Sequence, residues 1–278
     1  MVTVTFVKIG YIATTTLAEA LLDERAARKD LRLRVVSSGT SMEEDDATAV
    51  AVIAAGIPSD LYVVVSPNAS MPGPTKAREV LKATGKHIVV VSDEPSRKSL
   101  RENSVEGVGY IVVTCDPMIG ARQPFLDPEE MALFNADAIR VLAVTGAFRV
   151  VQGELDNVIA SLVKGEKPTL PQVVVERENA LAAARISNPY SYGKAMAAFE
   201  AARRVAALST EGTFKVEEPE RYLPILTAAH EMMRAAAHLA DEAREVEKAN
   251  DTAARLSHFA SGESRVKVGL HDKFEKTG

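Results

Sequence analysis

The chain has 278 residues, 46% of them hydrophobic, with a formal net charge of -5, one cysteine and no tryptophan. That length buries a real core, as one large domain or a domain with appendages. The lone Cys115 excludes an internal disulfide and a cysteine metal cluster and points to a reducing compartment. The acidic balance and 5% aromatic content argue against a general nucleic-acid binder with stacking platforms. No apolar run nears the roughly 20 residues of a membrane span, and MVTVTFVKIG is strand-like rather than leader-like, so a cytoplasmic protein is expected.

Residues 2–9 (VTVTFVKI) read as a β-branched strand, followed by a turn at Gly10. The hydroxyls of Thr14, Thr15 and Thr16 can cap a helix that Leu17, Leu21 and Leu22 begin at helical spacing. A second strand alternates over 31–36. After a Ser/Gly/Thr loop and an acid cluster at 43–46, an Ala/Val helix covers 47–55. LYVVVS at 61–66 is a near-continuous apolar strand of the kind buried in a parallel sheet. It ends in PNASMPGP, and a helix starts at Thr75. HIVVVSD at 87–93 and GYIVVT at 109–114 repeat the cycle. From about residue 130 helices dominate, at 129–145, 152–164, 188–208 and 221–250, with one short strand near 172–177. In the last helix Leu223, Leu226, His230, Met233, Ala237 and Ala240 share one stripe. The polar tail 251–278 reads as an ordered lid or a loose terminus. The expected organisation is therefore an α/β ligand-binding core over 1–128, a helical region over 129–250 for packing and oligomer contacts, and a C-terminal tail.

Alternating strands and helices imply a parallel sheet with ligands beyond the carboxyl ends of its strands. Four strand ends, at 10–16, 67–75, 93–95 and 116–127, therefore nominate one cleft. The last is the densest in chemistry, with Asp116, Arg122 and Asp127 set among Gly120 and two prolines. KIGYIATTT joins a strand to a helix but has neither the G-x-G-x-x-G pattern nor a Walker lysine, so no standard nucleotide site is expected. PGPTKAR at 72–78 reads either as a rigid wall against a planar ligand or as a turn with a solvated basic face. The five histidines lack ligand spacing and no metal is expected; His230 reads first as a buried, hydrogen-bonded side chain. A nucleophile elbow is absent, and Cys115 beside Asp116 is poorly placed to ionise. What remains suits hydride transfer between two bound organic partners, which the protein orients.

The segment MIGARQPFLDPEEMALFNADAIRVLAVTGAFRVVQ, with PGPTKARE, ERYLPI, AHEMMRAAAHLADEARE and EKAND, resembles the coenzyme F420-dependent methylenetetrahydromethanopterin dehydrogenases of methanogenic archaea. The likeness runs in collinear order over nearly the whole chain. It implies an α/β core with a helical region and a small β part, assembled as a homohexamer. It also implies reversible hydride transfer between F420, a dissociable deazaflavin co-substrate, and a tetrahydromethanopterin-type one-carbon carrier, with no tightly bound flavin and no metal. By the same resemblance Asp127 of FLDP is the catalytic carboxylate. The cofactor side takes Gly10, Ala13, Thr14, Thr15, Pro67, Asn68, Gly73, Pro74, Lys76 and Asp93. The pterin side takes Asp116, Met118, Gly120, Ala121, Arg122, Leu126 and His230. Arg122 and Lys76 are the candidates for F420's anionic tail.

Two features leave alternatives open. Asp127 before Pro128, Glu129 and Glu130 is also a very good helix cap, and both roles are compatible. The turn after the first strand carries Tyr11 and Ala13 where the family has Asn and Gly, which adds bulk beside the expected cofactor. A diverged homologue with another hydride partner or reaction, or a non-catalytic pterin-binding protein on the same fold, therefore stand as rivals.

Overall fold

The computed structural model describes residues 1–16, 22, 28–103, 105–123 and 125–277. Six strands form one parallel sheet in the order β2-β1-β3-β4-β5-β6. They are β1 (Val2–Lys8), β2 (Leu31–Ser37), β3 (Leu61–Ser66), β4 (His87–Asp93), β5 (Val108–Val113) and β6 (Gln172–Val175). β3 and β4 are almost wholly buried because helices cover both faces. Strand periodicity sorts their side chains between two cores. Val63, Val65, Val89, Val91, Ile111 and Val113 point to one face, and Tyr62, Val64, Ile88, Val90 and Val112 to the other.

The second face is covered by α1 (Glu44–Ala55) and α2 (Pro72–Lys82), which bring Ala47, Ala51, Ala54, Ala77 and Leu81 to it. The acids 44–46, expected to precede a helix, instead form the first turn of α1, where the helix dipole favours negative charge. A 3-10 turn (Glu94–Ser96) and the short α3 (Arg97–Glu102) follow β4. The larger core lies on the opposite face, against α4 (Pro128–Val144), α5 (Ala147–Val163), α6 (Arg177–Ala184), α7 (Pro189–Thr210) and α8 (Pro219–Ala249). α7 and α8 meet through alanines, among them Ala198 and Ala202 against Ala229, Ala236 and Ala240, whose small side chains let the helix backbones approach closely.

The strand expected near 172–177 occupies Gln172–Val175 and pairs parallel with β5. The helical half of the sequence thus supplies the sixth strand, and one apolar core runs across residue 128. The tail folds into a small antiparallel sheet of β7 (Arg255–His258), β8 (Ser264–Lys267) and β9 (Glu275–Lys276). Its anchor is buried: His258 Nε2 shares a 2.7 Å hydrogen bond with Asp156 of α5, and Arg28 bridges Asp156 and Asp30 at 2.7 Å each. Ala13–Thr16 forms a helical turn after β1, while the expected helical positions Leu17 and Leu21 lie outside the described residues.

Candidate active site

Two glycines draw the loops after β1, β2 and β3 together. Gly10 has a positive φ of 75°, and a Cβ there would lie 2.6 Å from Met42 Cγ and 3.0 Å from Pro67 Cδ. A Cβ on Gly73 would lie 2.2 Å from the Met42 carbonyl oxygen. Only glycine permits these approaches, and they press the β2–α1 loop against its neighbours. Between this wall and the loop after β5 lies a cavity of about 320 Å³. Of the expected residues, Pro67, Met118, Ala121 and Leu126 line it, joined by Tyr11. Ile119 of the same turn as Met118 also lines it, and Thr40, Met42, Met131 and Asn135, which the sequence did not single out as ligand contacts, complete the lining. Thioethers, proline and one aromatic ring suit the faces of planar ligands.

The floor of the cleft is a carboxylate clamp. Ala13 N–H donates to Asp116 Oδ1 at 2.9 Å and Thr14 N–H donates to Oδ2 at 2.8 Å. Asp116 therefore satisfies the free amides that open the helical turn, where an anionic ligand was the alternative. Asp116, Ala13 and Thr14 are fully buried and Thr15 is 2% exposed. The structure gives Asp116, Ala13 and Thr14 to the tie between the β1 and β5 loops and Thr15 to its own turn, where Oγ1 accepts from Ile12 N–H, and does not bring the four to the cavity surface. Burial pushes the Asp116 carboxyl up to about 6, although these hydrogen bonds favour its charged form. Asp93, also buried, accepts from Glu94 N–H at 2.6 Å. Desolvation and the nearby Asp116 hold it well above the usual carboxylate range. The same causes raise the Cys115 thiol, against a nucleophilic role.

The loop after β5 is fixed from its other side by a single-turn π-helix, Glu211–Lys215, which joins α7 to α8. Ala121 N–H donates to Thr213 Oγ1 at 3.2 Å, and Arg122 Nη2 donates to the Val216 carbonyl at 3.0 Å. The Arg122 guanidinium also lies 5.0 Å from the centre of the Tyr222 ring. Added Cβ atoms on Gly120 and Gly212 would both strike Leu226, at 2.7 and 2.6 Å. Short π segments concentrate at functional sites, and here one positions a wall of the cavity. Periodicity cannot signal it, which is why Thr213, Val216 and Tyr222 escaped sequence reasoning.

Asp127 caps α4. Its Oδ1 accepts from the Glu129 and Glu130 amides at 2.9 and 3.0 Å, and its side chain is exposed at the rim beside Leu126. His230 stands away from the cavity lining, its ring centroid 4.8 Å from that of Phe125 and 5.0 Å from that of Phe134, with Nδ1 3.2 Å from Glu130. Lys76 is exposed and pairs with Glu79 at 3.2 Å. Asn68 Oδ1 accepts from Ser70 N–H at 3.0 Å and shapes its own turn, while Pro74 is buried at the start of α2. Among the described residues no group of three His, Cys, Asp or Glu side chains is arranged to hold a metal ion.

Comparison with known proteins agrees with this architecture. The family model for methylene-5,6,7,8-tetrahydromethanopterin dehydrogenase matches residues 2–275. An F420-dependent methylenetetrahydromethanopterin dehydrogenase of Archaeoglobus fulgidus is 49% identical over 99% of this chain and all of its own. The enzyme of the same name from Methanothermobacter marburgensis is 46% identical over the same shares. A solved structure of such a dehydrogenase, in complex with methylene-tetrahydromethanopterin and coenzyme F420, superposes with a TM-score of 0.95. It is 42% identical and covers 99% of this chain and all of its own. By sequence over its whole length and by fold, this chain belongs to the methylenetetrahydromethanopterin dehydrogenase family.

Proposed function

We propose that this protein moves a hydride reversibly between coenzyme F420 and the one-carbon unit of a tetrahydromethanopterin-type carrier, both substrates entering and leaving in each turnover. The observation that carries this reading is full-length likeness to F420-dependent dehydrogenases at 49% identity, joined to a cleft at the strand ends. Tyr11 extends the wall on one side of that cleft and leaves the cavity open, so its bulk speaks for no other hydride partner.

Hydride transfer asks little covalent chemistry of a protein. It needs two reacting carbons held face to face, water kept out, and charge placed where charge develops. Pro67, Met42 and Tyr11 supply one apolar wall, and Met118, Ile119, Leu126 and Met131 the other. Removing hydride from methylene-pterin leaves a methenyl cation, which a carboxylate at the rim stabilises. Asp127 fits that role because its capping bonds use only Oδ1, which leaves Oδ2 for the ligand. Asp116 acts beneath the site as a positioning residue, and Arg122 and Lys76 remain the cations for an anionic tail. We place the protein in the cytoplasm as a homo-oligomer, a hexamer by resemblance. The large exposure of Val52 (57%) and Ile53 (59%) on α1 supports subunit contact. We treat 1–128 as the ligand-binding core and 129–250 as the packing region with its borrowed strand.

The test follows F420 absorbance with methylene-tetrahydromethanopterin as donor. Wild-type protein should reduce F420, and no absorbance change under any condition would overturn the assignment of the hydride partner. Asn caps helices as well as Asp. Asp127→Asn should therefore keep the melting temperature while lowering kcat about 10²-fold. Full activity in Asp127→Asn would reduce Asp127 to a cap.

A further inference from the structure

At the far end of α4, four arginines surround a second cavity of about 400 Å³. Arg149, Arg185, Arg244 and Arg255 come from α5, the end of α6, α8 and β7, and Ala184, Ile186 and Leu256 form part of an apolar lining. The cavity lies some 16 residues along α4 from Asp127, about 24 Å at helical rise.

The charges there are uncompensated. Arg149 Nη1 donates to the Ala183 and Ala184 carbonyls at 3.2 and 2.7 Å and Nη2 to the Ala254 carbonyl at 2.8 Å, so its partners are neutral. Arg255 Nη1 donates only to the carbonyls of Ala253 and Val268, at 2.9 and 2.6 Å. Among the described residues the side chains of Arg185 and Arg244 have neither a hydrogen bond nor an ion pair. Burial, with Arg244 and Arg185 alongside, brings the Arg149 guanidinium down to about 10.

Nearby acids are committed elsewhere. Glu247 reaches the lining but is buried, accepting from Ser187 Oγ, Asn188 N–H and Thr252 Oγ1. Asp241 faces Arg140, Glu242 pairs with Lys194 and Glu245 with Lys248, while Asp251 accepts from Leu270 N–H. Four guanidiniums against one occupied carboxylate leave a concave, cationic site with guanidinium N–H groups to spare. Guanidinium is the side chain best matched to phosphoryl oxygens.

We propose that this pocket is a binding site for a phosphoryl group, free or on a small metabolite, separate from the catalytic cleft, and that its occupant ties α6 and α8 to the C-terminal sheet. A ligand bound by the folded state alone raises its stability by mass action.

The test uses inorganic phosphate and pyrophosphate on the full chain, with ionic strength held constant by potassium chloride. Binding is read by calorimetry and by melting temperature, in wild type and in the Arg185→Gln/Arg244→Gln double variant. Arg149 is left intact because it caps α6. Both anions should bind wild-type protein and raise its melting temperature, and the double variant should bind about tenfold or more weakly. Turnover without phosphate should be unchanged. An equal phosphate response in wild type and variant overturns the site. Displacement of phosphate by F420 or the pterin overturns its separateness and assigns it to a substrate's anionic tail. A changed subunit number in the variant overturns it in favour of a contact between copies.

Discussion

The two ends of α4 handle charge in opposite ways. At its start, around the cleft, charged groups near the cavity also build its walls: Asp116 holds two backbone amides, Arg122 a carbonyl and Asp127 the cap. What is left facing the cavity is mostly apolar. At its finish, guanidiniums gather with no acid to answer them. The difference separates two kinds of binding. A planar, largely apolar ring system is held by shape, and an anion is held by unspent charge. Removing a buried tie such as Asp116 should therefore damage the structure around the cleft, whereas substitutions at the arginine pocket should remove only a ligand.

The largest effect is expected for Asp116→Ala, which strands two buried amides and unties two loops. At about 1–3 kcal/mol for each unsatisfied donor, the loss should reach roughly 2–6 kcal/mol in denaturant titration. An Asp116→Ala protein of wild-type stability would refute the clamp. Next comes its pH dependence. The native carboxyl titrates at about 6 against an ordinary 3.8. Its contribution is thus fully present below about pH 4 and is lost as pH rises through 6. At 1.36 kcal/mol per pH unit the loss is roughly 3 kcal/mol. Asp30 and Glu247, whose carboxyls lie below their ordinary values, work in the opposite direction, so the reading is the wild-type curve minus that of Asp116→Asn. A difference that stays flat between pH 4 and 6.5 would contradict the burial argument.

Gly73→Ala should cost about 1–3 kcal/mol, because the new methyl meets the Met42 carbonyl oxygen rather than a movable side-chain tip. It should also raise KM by displacing the loop that carries Thr40 and Met42. A stable variant with unchanged KM would mean that this loop does not shape the cleft. The smallest effect separates cap from charge: Asp127→Ala should lose about 1 kcal/mol that Asp127→Asn retains.

Much of the sheet was legible because β3, β4 and β5 are continuous apolar runs ended by turn residues, and that pattern has few alternatives. β6 was harder, since four residues in a helical context carry little periodic signal. The C-terminal strands were harder still, being two to four residues long with mostly half-exposed side chains. Pro67, Met118, Ala121 and Leu126 share one cavity because strand ends in a parallel sheet converge on one edge. Asp116 shows why the rest was hidden. An acid in a loop looks like a ligand contact, and its real partners are amides 103 and 102 residues away in the chain. The four pocket arginines, at 149, 185, 244 and 255, share no spacing at all and meet only through tertiary packing.

The Asp116 clamp also bears on how the cleft breathes. Two loops tied by one carboxylate cannot open separately, so they form the fixed jaw. The opposite jaw, residues 38–43, is held against Gly10 and Gly73 by close packing and has no buried carboxylate to tie it. Amide exchange should record this asymmetry. Ala13 and Thr14 should exchange on the timescale of the buried strands although they sit in a turn, while the amides of 39–42 exchange orders of magnitude faster.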